Sequence, residues 1–353
     1  MTVSAFDHPW LSGLFGDDTV AELFSAERTA ESFLRFERAL TKALGDHGVV
    51  DKSVADGVLD KLAGFSPDMD GIAAAMAKDG VPGPAFVKQL KQAVGENLAA
   101  GLHVGATSQD LSDTALVETL GAVNEILSQR LRDAVAALEE LEARFGTAPL
   151  MGRTRMQAAQ PITVGHRVST WRAPLIRHLQ RLEGLNPALL VLQFGGAVGT
   201  GGALGDKHAD VARQMAAELG LAYAPDCWHT TRDALADYAN WLSLVTGSLG
   251  KMGQDICLMA QQGLDEAMLG GGGGSSAMPH KRNPVKAEAL VTLARFNAVQ
   301  VGGMHQALVH EQERSGAAWS LEWLILPQMT VAAAASLSTG IALLNSVERL
   351  GDP

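Results

Sequence analysis

Hydroxyl, cationic and amide side chains crowd into one short stretch, Gly270–Glu288, which reads GGGGGSSAMPHKRNPVKAE. Five consecutive glycines do not settle readily into one conformation, because glycine loses more backbone entropy on ordering than any other residue. Ser275 and Ser276 follow, then Lys281, Arg282 and Asn283. Pro284 suits the first turn of a helix and Asn283 suits its N-cap, so a helix is predicted to begin there. A hydroxyl-bearing loop that runs into cations and a helix N-terminus suits the capture of a carboxylate. The same composition also describes a flexible surface linker closed by an Asn-Pro cap. Phosphate-loop chemistry fits poorly. No GxxxxGK[ST] pattern occurs, Gly250-Lys251 being followed by Met252. The second glycine cluster, Gly195–Gly205 (GGAVGTGGALG), does not form GxGxxG after a strand. It is predicted either to pack or turn between helices or to line a site.

The elements that must carry these residues are helical. Prolines are absent between Pro84 and Pro149, between Pro225 and Pro279, and between Pro284 and Pro327. A proline inside a helix costs roughly 3 kcal/mol, so such windows permit long helices. Within Ala122–Phe145, Leu127, Leu131, Ala134, Leu138, Leu141 and Phe145 form one apolar stripe, with Arg130, Arg132, Asp133, Glu139, Glu140 and Glu142 on the predicted wet face. Tyr238–Leu269 and Ala287–His310 read the same way, with Ala, Gly and Met available for close helix packing. Alternating β-branched runs are absent, and the chain is predicted to be all-α. Residues 1–101 read as an N-terminal helical domain, broken at Gly45–Gly48, Ser66–Asp68 and Val81–Pro84, and residues 102–345 as a central long-helix bundle.

Composition narrows the function classes. Of 353 residues, 28 are Lys or Arg and 39 are Asp or Glu, giving a net charge of −11. Such an anion repels nucleic acid and acidic lipid. No apolar run approaches the roughly 18 residues a membrane span needs, and the N-terminus lacks the pattern of a secretion signal. Cys227 and Cys257 are too few for a disulfide framework or a Cys-built metal site. Neither a metal nor a cofactor is implied. A soluble cytoplasmic protein is expected.

Three segments carry a resemblance. Ser275-Ser276-Ala277-Met278-Pro279-His280-Lys281-Arg282-Asn283-Pro284 is similar to the GSSxMPxKxNP signature of the fumarase/aspartase superfamily. Gly105-Ala106-Thr107-Ser108-Gln109-Asp110, continuing to Asp113-Thr114-Ala115, resembles its first signature. Gly152-Arg153-Thr154-Arg155-Met156-Gln157 resembles its second, usually written GRTHxQ. The resemblance implies a homotetramer with a 20-helix core, whose active sites are built from the three segments on different subunits. Within the superfamily, HVGATSQDLSDTA, LQFGGAVGTGGAL, CWHTTRDALADYA and HEQERSGAAWSLEWLILP, with Trp319, Glu322 and Trp323, resemble bacterial 3-carboxy-cis,cis-muconate cycloisomerases. Superfamily members commonly carry a small third helical domain. Here it is expected to be missing or vestigial, with 346–353 as a tail.

That resemblance implies an intramolecular lyase of aromatic (protocatechuate) catabolism, acting on a small tricarboxylate. Ser275 would be the proton carrier, with Ser276 the adjacent alternative. Lys281 and Asn283 would clamp the carboxylate that becomes the aci-anion. Thr107, Ser108, Thr154 and Gln157 would hold substrate, with Arg153 and Met278 lining the pocket. Arg314 is either a further carboxylate ligand or part of a structural ion pair, and His229 either lines the pocket or is a satisfied structural histidine. Arg155 stands where fumarases and the adenylosuccinate and argininosuccinate lyases have histidine. A carboxylate leaving group, pKa near 4, needs no proton donor. A permanent guanidinium could stabilise it and pair with Glu288.

Overall fold

The computed structural model describes residues 3–271, 273–274, 278 and 281–353. Ser275 and Ser276 lie outside them. The chain begins with helices α1 (Ser12–Phe15), α2 (Asp18–Glu22), α3 (Ala26–Asp46), α4 (Lys52–Leu62), α5 (Met69–Asp79), α6 (Gly83–Val94) and α7 (Glu96–Ala99). Helix α8 (Ser108–Phe145) then runs for 38 residues into a hairpin of β1 (Pro149–Thr154) and β2 (Gln157–Thr163), followed by α9 (Val164–Leu189) and α10 (His208–Leu219). The remainder comprises α11 (Asp233–Met259), β3 (Ala267–Leu269), β4 (Gly273–Gly274), β5 (Arg282–Asn283), α12 (Val285–Gln306), α13 (Ala317–Asn345) and β6 (Val347–Leu350).

Local chemistry starts these helices where they start. Asp17, Ser25, Asp68 and Thr163 each accept a backbone N–H of the first turn that follows, supplying a partner to a donor that helix geometry leaves unpaired. Thr107 and Asp110 form a reciprocal capping box at the head of α8. Leu127, Leu131, Ala134, Leu138 and Leu141 of the predicted stripe are buried, and Phe145 packs partly buried against the same core. Arg130 is not on a wet face: its guanidinium pairs with Asp17 and donates to the Ala334 carbonyl. One large core joins α8, α9, α11, α12 and α13. A second joins α3, α4 and α6 with the start of α8, and also takes in Phe194, Leu204 and α10.

Several expectations from sequence change. The all-α reading holds, but among the described residues three small two-stranded sheets accompany the helices, and the second signature lies on the β1–β2 hairpin. The helix expected over Tyr238–Leu269 ends at Met259, and that expected over Ala287–His310 ends at Gln306. Pro284, not Asn283, occupies the cap position of α12 and makes no side-chain cap, while Asn283 pairs with Gly273 in a strand. Helix α13 is long and apolar enough to cross a membrane by length and composition, contrary to the reading that no such run exists. Two-thirds of its most apolar window is buried inside the fold, the pattern of a core helix apolar all round.

Helices α11 and α12 approach closely because glycine allows it. A Cβ on Gly253 would lie 2.6 Å from the Ala287 carbonyl oxygen, and one on Gly250 would lie 2.4 Å from the Ala294 Cβ. On propensity alone, glycine to alanine in a helix stabilises by about 1 kcal/mol. Against a rigid backbone carbonyl, the overpacking cost of about 1–3 kcal/mol wins. Gly253→Ala is therefore expected to lower the denaturant midpoint; a raised midpoint would contradict this packing.

Candidate functional site

At the head of α8, one carboxylate organises the first signature. Asp110 is wholly buried and accepts from the Thr107 amide at 2.9 Å, the Gly195 amide at 2.9 Å, the Gly196 amide at 3.0 Å and His229 Nε2 at 2.8 Å. It thereby ties the glycine cluster to the start of α8. Gly196 has φ +71° and Gly199 φ +80°, left-handed values that favour glycine, so this loop carries glycine for geometry. Over its rim, Arg314 Nη1 donates to Thr107 Oγ1 at 2.9 Å, and Nη2 donates to the Gly196 and Ala197 carbonyls at 3.3 and 3.1 Å. Arg314 is exposed and has no carboxylate partner among the described residues, which leaves its charge available to an anion. Ser108 packs against Gly83, where an added Cβ would meet its Oγ at 2.8 Å.

His229 is 2% exposed and sits beneath the loop, not on its surface. Burial works against its charge, but Asp110 and the Cys227 sulfur outweigh burial and hold the imidazole up at about 9. This favours its structural reading.

Sequence reasoning passed over a second buried cluster one turn further along α8. Arg232 donates to both oxygens of Asp113, at 2.7 and 3.0 Å, and to both of Glu322, at 2.5 and 2.8 Å, with all three side chains about 1% exposed. Gln109, Gln193 and the Trp319 indole also donate to Asp113. Burial pushes the Glu322 carboxyl up against the pull of Arg232, and the Asp113 charge adds to that push. Trp319 and Glu322, singled out from sequence, thus anchor the segment bearing Arg314 to α8. The available signal was two acids three residues apart, Asp110 and Asp113, near the start of a long helix whose buried positions from Leu127 onwards are all apolar.

The second signature stands at the other end of α8, roughly 57 Å away by helical rise for 38 residues. Its tip, Arg155-Met156, is a two-residue hairpin loop with φ +49° and +66°. Type I′ loops of this kind normally take Asn-Gly. Non-glycine residues held in this region carry backbone strain of a sort that clusters at functional sites. Thr154, Arg155 and Gln157 are exposed, beside an open cavity of about 1130 Å³ lined by Arg153, Arg155, His166, Lys251 and Asp255 among others. Arg153 is committed to Glu266 at 2.6 Å. Arg155 forms no ion pair among the described residues, so the expected pairing with Glu288 is not made within one chain.

Of the third signature, Lys281 is exposed and donates its amide to the Met278 carbonyl at 3.0 Å, Met278 is exposed, and Asn283 is half-buried. Glu288 is exposed on the first turn of α12, where its charge helps burial hold the Cys257 thiol up. Asn283 lines a separate cavity of about 520 Å³ with Lys286, Leu269 and Ser338. One chain therefore presents the candidate residues at separate places. Among the described residues no group of three or more His, Cys, Asp or Glu is placed to hold a metal ion.

The His229–Asp110 contact has a pH signature. A raised pKa contributes stability that is complete below the unfolded value near 6.5 and is lost as pH rises through about 9. The contribution is on the order of 3 kcal/mol at 1.36 kcal/mol per unit. Unfolding free energy should fall between pH 6.5 and 9.5 in the native chain and fall by less in His229→Gln. Equal falls would contradict the contact.

A lyase family profile matches residues 17–303. The 3-carboxy-cis,cis-muconate cycloisomerase of Pseudomonas aeruginosa is 39% identical over 92% of this chain and 72% of its own length. That of Pseudomonas putida is 33% identical over 99% of this chain and 83% of its own. The crystal structure of the Pseudomonas putida 3-carboxy-cis,cis-muconate lactonizing enzyme superposes with a TM-score of 0.89 at 34% identity, covering 97% of this chain and 77% of that one. The chain is a member of the lyase family of the fumarase/aspartase superfamily.

Proposed function

We propose that the chain is a 3-carboxy-cis,cis-muconate cycloisomerase, closing a 4-carboxymuconolactone ring from a linear tricarboxylate. The observation that carries this reading is Arg155, a permanent cation presented on a strained, exposed turn and left without an ion-pair partner among the described residues. Expelling an amine or alcohol, or hydrating a double bond, calls for proton transfer at the heteroatom. An attacking or departing carboxylate calls only for charge stabilisation, which a guanidinium supplies.

In the forward direction a substrate carboxylate oxygen forms the C–O bond while the π electrons move to the neighbouring carbon. That carbanion is held as an aci-carboxylate by Lys281 and Asn283 and takes a proton from Ser275, with Ser276 the alternative donor. Arg314 and Thr107, joined at 2.9 Å, would hold a second carboxylate, with Ser108, Thr154 and Gln157 fixing orientation. Three carboxylates become two and an ester, so each turnover takes up one proton.

Because the first and second signatures lie at opposite ends of α8, a site using both must take them from different copies of the chain. We read the working form as a homotetramer with shared sites, needing no metal or cofactor, in aromatic catabolism in the cytoplasm.

Loss of the conjugated diene absorbance on adding 3-carboxymuconate, with one proton taken up per lactone, is the expected result. No absorbance loss by the folded assembly would overturn the reading, and cleavage of adenylosuccinate instead would move the chain to the sister lyases. Lys281→Ala should lower kcat by about 10²–10³-fold, the range for removing one charge-stabilising group. Arg155→His should impair lactonisation without conferring fumarate hydration, and unchanged lactonisation would dismiss the role given to Arg155.

A further inference from the structure

One sulfur atom sits inside the scaffold that holds the first signature, with no part in the chemistry proposed above. Cys227 is half-buried at the foot of the glycine loop. A Cβ on Gly195 would lie 2.4 Å from its Sγ, and one on Gly199 would lie 3.3 Å from it. The loop backbone therefore packs directly against one side of the sulfur. The thiol donates to Gln193 Oε1 at a long 3.3 Å and also interacts with the His229 imidazole. Beside it stands His229, 2% exposed, with Nε2 fixed on Asp110 at 2.8 Å and Nδ1 buried without a hydrogen-bond partner. The same Gly199 position lies 3.7 Å from that Nδ1, so the free nitrogen and the sulfur face one small volume. A carboxylate behind an imidazole, and the imidazole beside a thiol, is the order found at activated cysteines.

We propose that Cys227 is a covalent modification site for small soft electrophiles, and that its adduct disables the end of the site bearing Thr107 and Arg314. The imidazolium of His229, held charged by Asp110, stands beside the sulfur and favours its thiolate, the thiol proton leaving to solvent. The sulfur lone pair then forms the new S–C bond while the carbon–halide bond of an alkylating agent breaks and halide leaves with its electrons. The charged groups facing this pair are Asp110 from α8 and Arg314, whose guanidinium reaches the same loop. With the loop packed directly against the sulfur, an adduct displaces Gly195–Gly199. That loop supplies the two amides held by Asp110 and the two carbonyls held by Arg314.

Iodoacetamide labelling of the assembled protein, followed by peptide mass mapping, tests this. Cys257 is the internal control, its thiol pushed up by burial and then by Glu288. At pH 7 Cys227 should label at least tenfold faster than Cys257. Its rate should change less than tenfold between pH 6 and 8, where an unpaired thiol with pKa near 8.5 changes by nearly 100-fold. His229→Gln should restore the steep slope. Labelled protein should lose at least tenfold in turnover, while Cys227→Ser keeps turnover and resists the reagent. The labelling is read by mass without substrate, so it decides the thiol pair whether or not the lactonising reading stands. Labelling of Cys227 no faster than Cys257, a steep slope in the native protein, or full turnover after complete labelling would each overturn the proposal.

Discussion

The site end of this fold depends on a single buried carboxylate, Asp110. It accepts hydrogen bonds from the Thr107 amide, the Gly195 and Gly196 amides and the His229 imidazole. Charge-assisted bonds of this kind are roughly twice as strong as neutral ones. Removing the acceptor would leave buried donors without partners, each costing about 1–3 kcal/mol. Because those donors come from the head of α8, the glycine loop and the segment before α11, one side chain sets their relative positions. Arg314 then closes over the top, using two loop carbonyls and the Thr107 hydroxyl as its footing.

One turn along α8 the same device recurs with opposite emphasis. Asp113, Arg232 and Glu322 form a buried set with two carboxylates to one guanidinium. Such sets add little net stability compared with apolar packing, yet breaking one leaves an uncompensated buried charge. Their effect here is registry: the start of α13, with Trp319, is fixed to α8, and the short segment bearing Arg314 follows from it. The long helices supply rigidity and separation, placing a cationic hairpin tip at one end and a cation-rimmed glycine loop at the other. In a chain of net charge −11, these local cations stand out as places where an anion gains most.

Much of this was legible in the sequence because it was local. The stripe from Leu127 to Leu141 follows from helical periodicity, and the three signatures name their chemistry by residue type. What stayed hidden was set by distant contacts or by backbone. Arg155-Met156 adopts left-handed conformations that neither residue prefers, and nothing in GRTRMQ announces a hairpin whose loop usually needs Asn-Gly. Asn283 has the side chain of a cap but is held in a strand by pairing with Gly273, so Pro284 takes its place. Arg232 carried no assignment from sequence, because its partners Asp113 and Glu322 lie 119 and 90 residues away. Helix α13 falls within the span read as a long-helix bundle, and only its membrane-length apolarity was passed over, a property it owes to a core position among other helices.

The central claim is that the signature residues act together although one chain holds them at separate places. Subunit mixing tests it directly. Arg155→Ala alters the hairpin end and Arg314→Gln the glycine-loop end, and each alone should be strongly impaired in lactonisation. Co-expressed in one cell, the two variants should form mixed assemblies in which some sites receive both native segments. Such a mixture should turn over 3-carboxymuconate faster than the sum of the separately prepared variants. A mixed assembly no more active than that sum would contradict it.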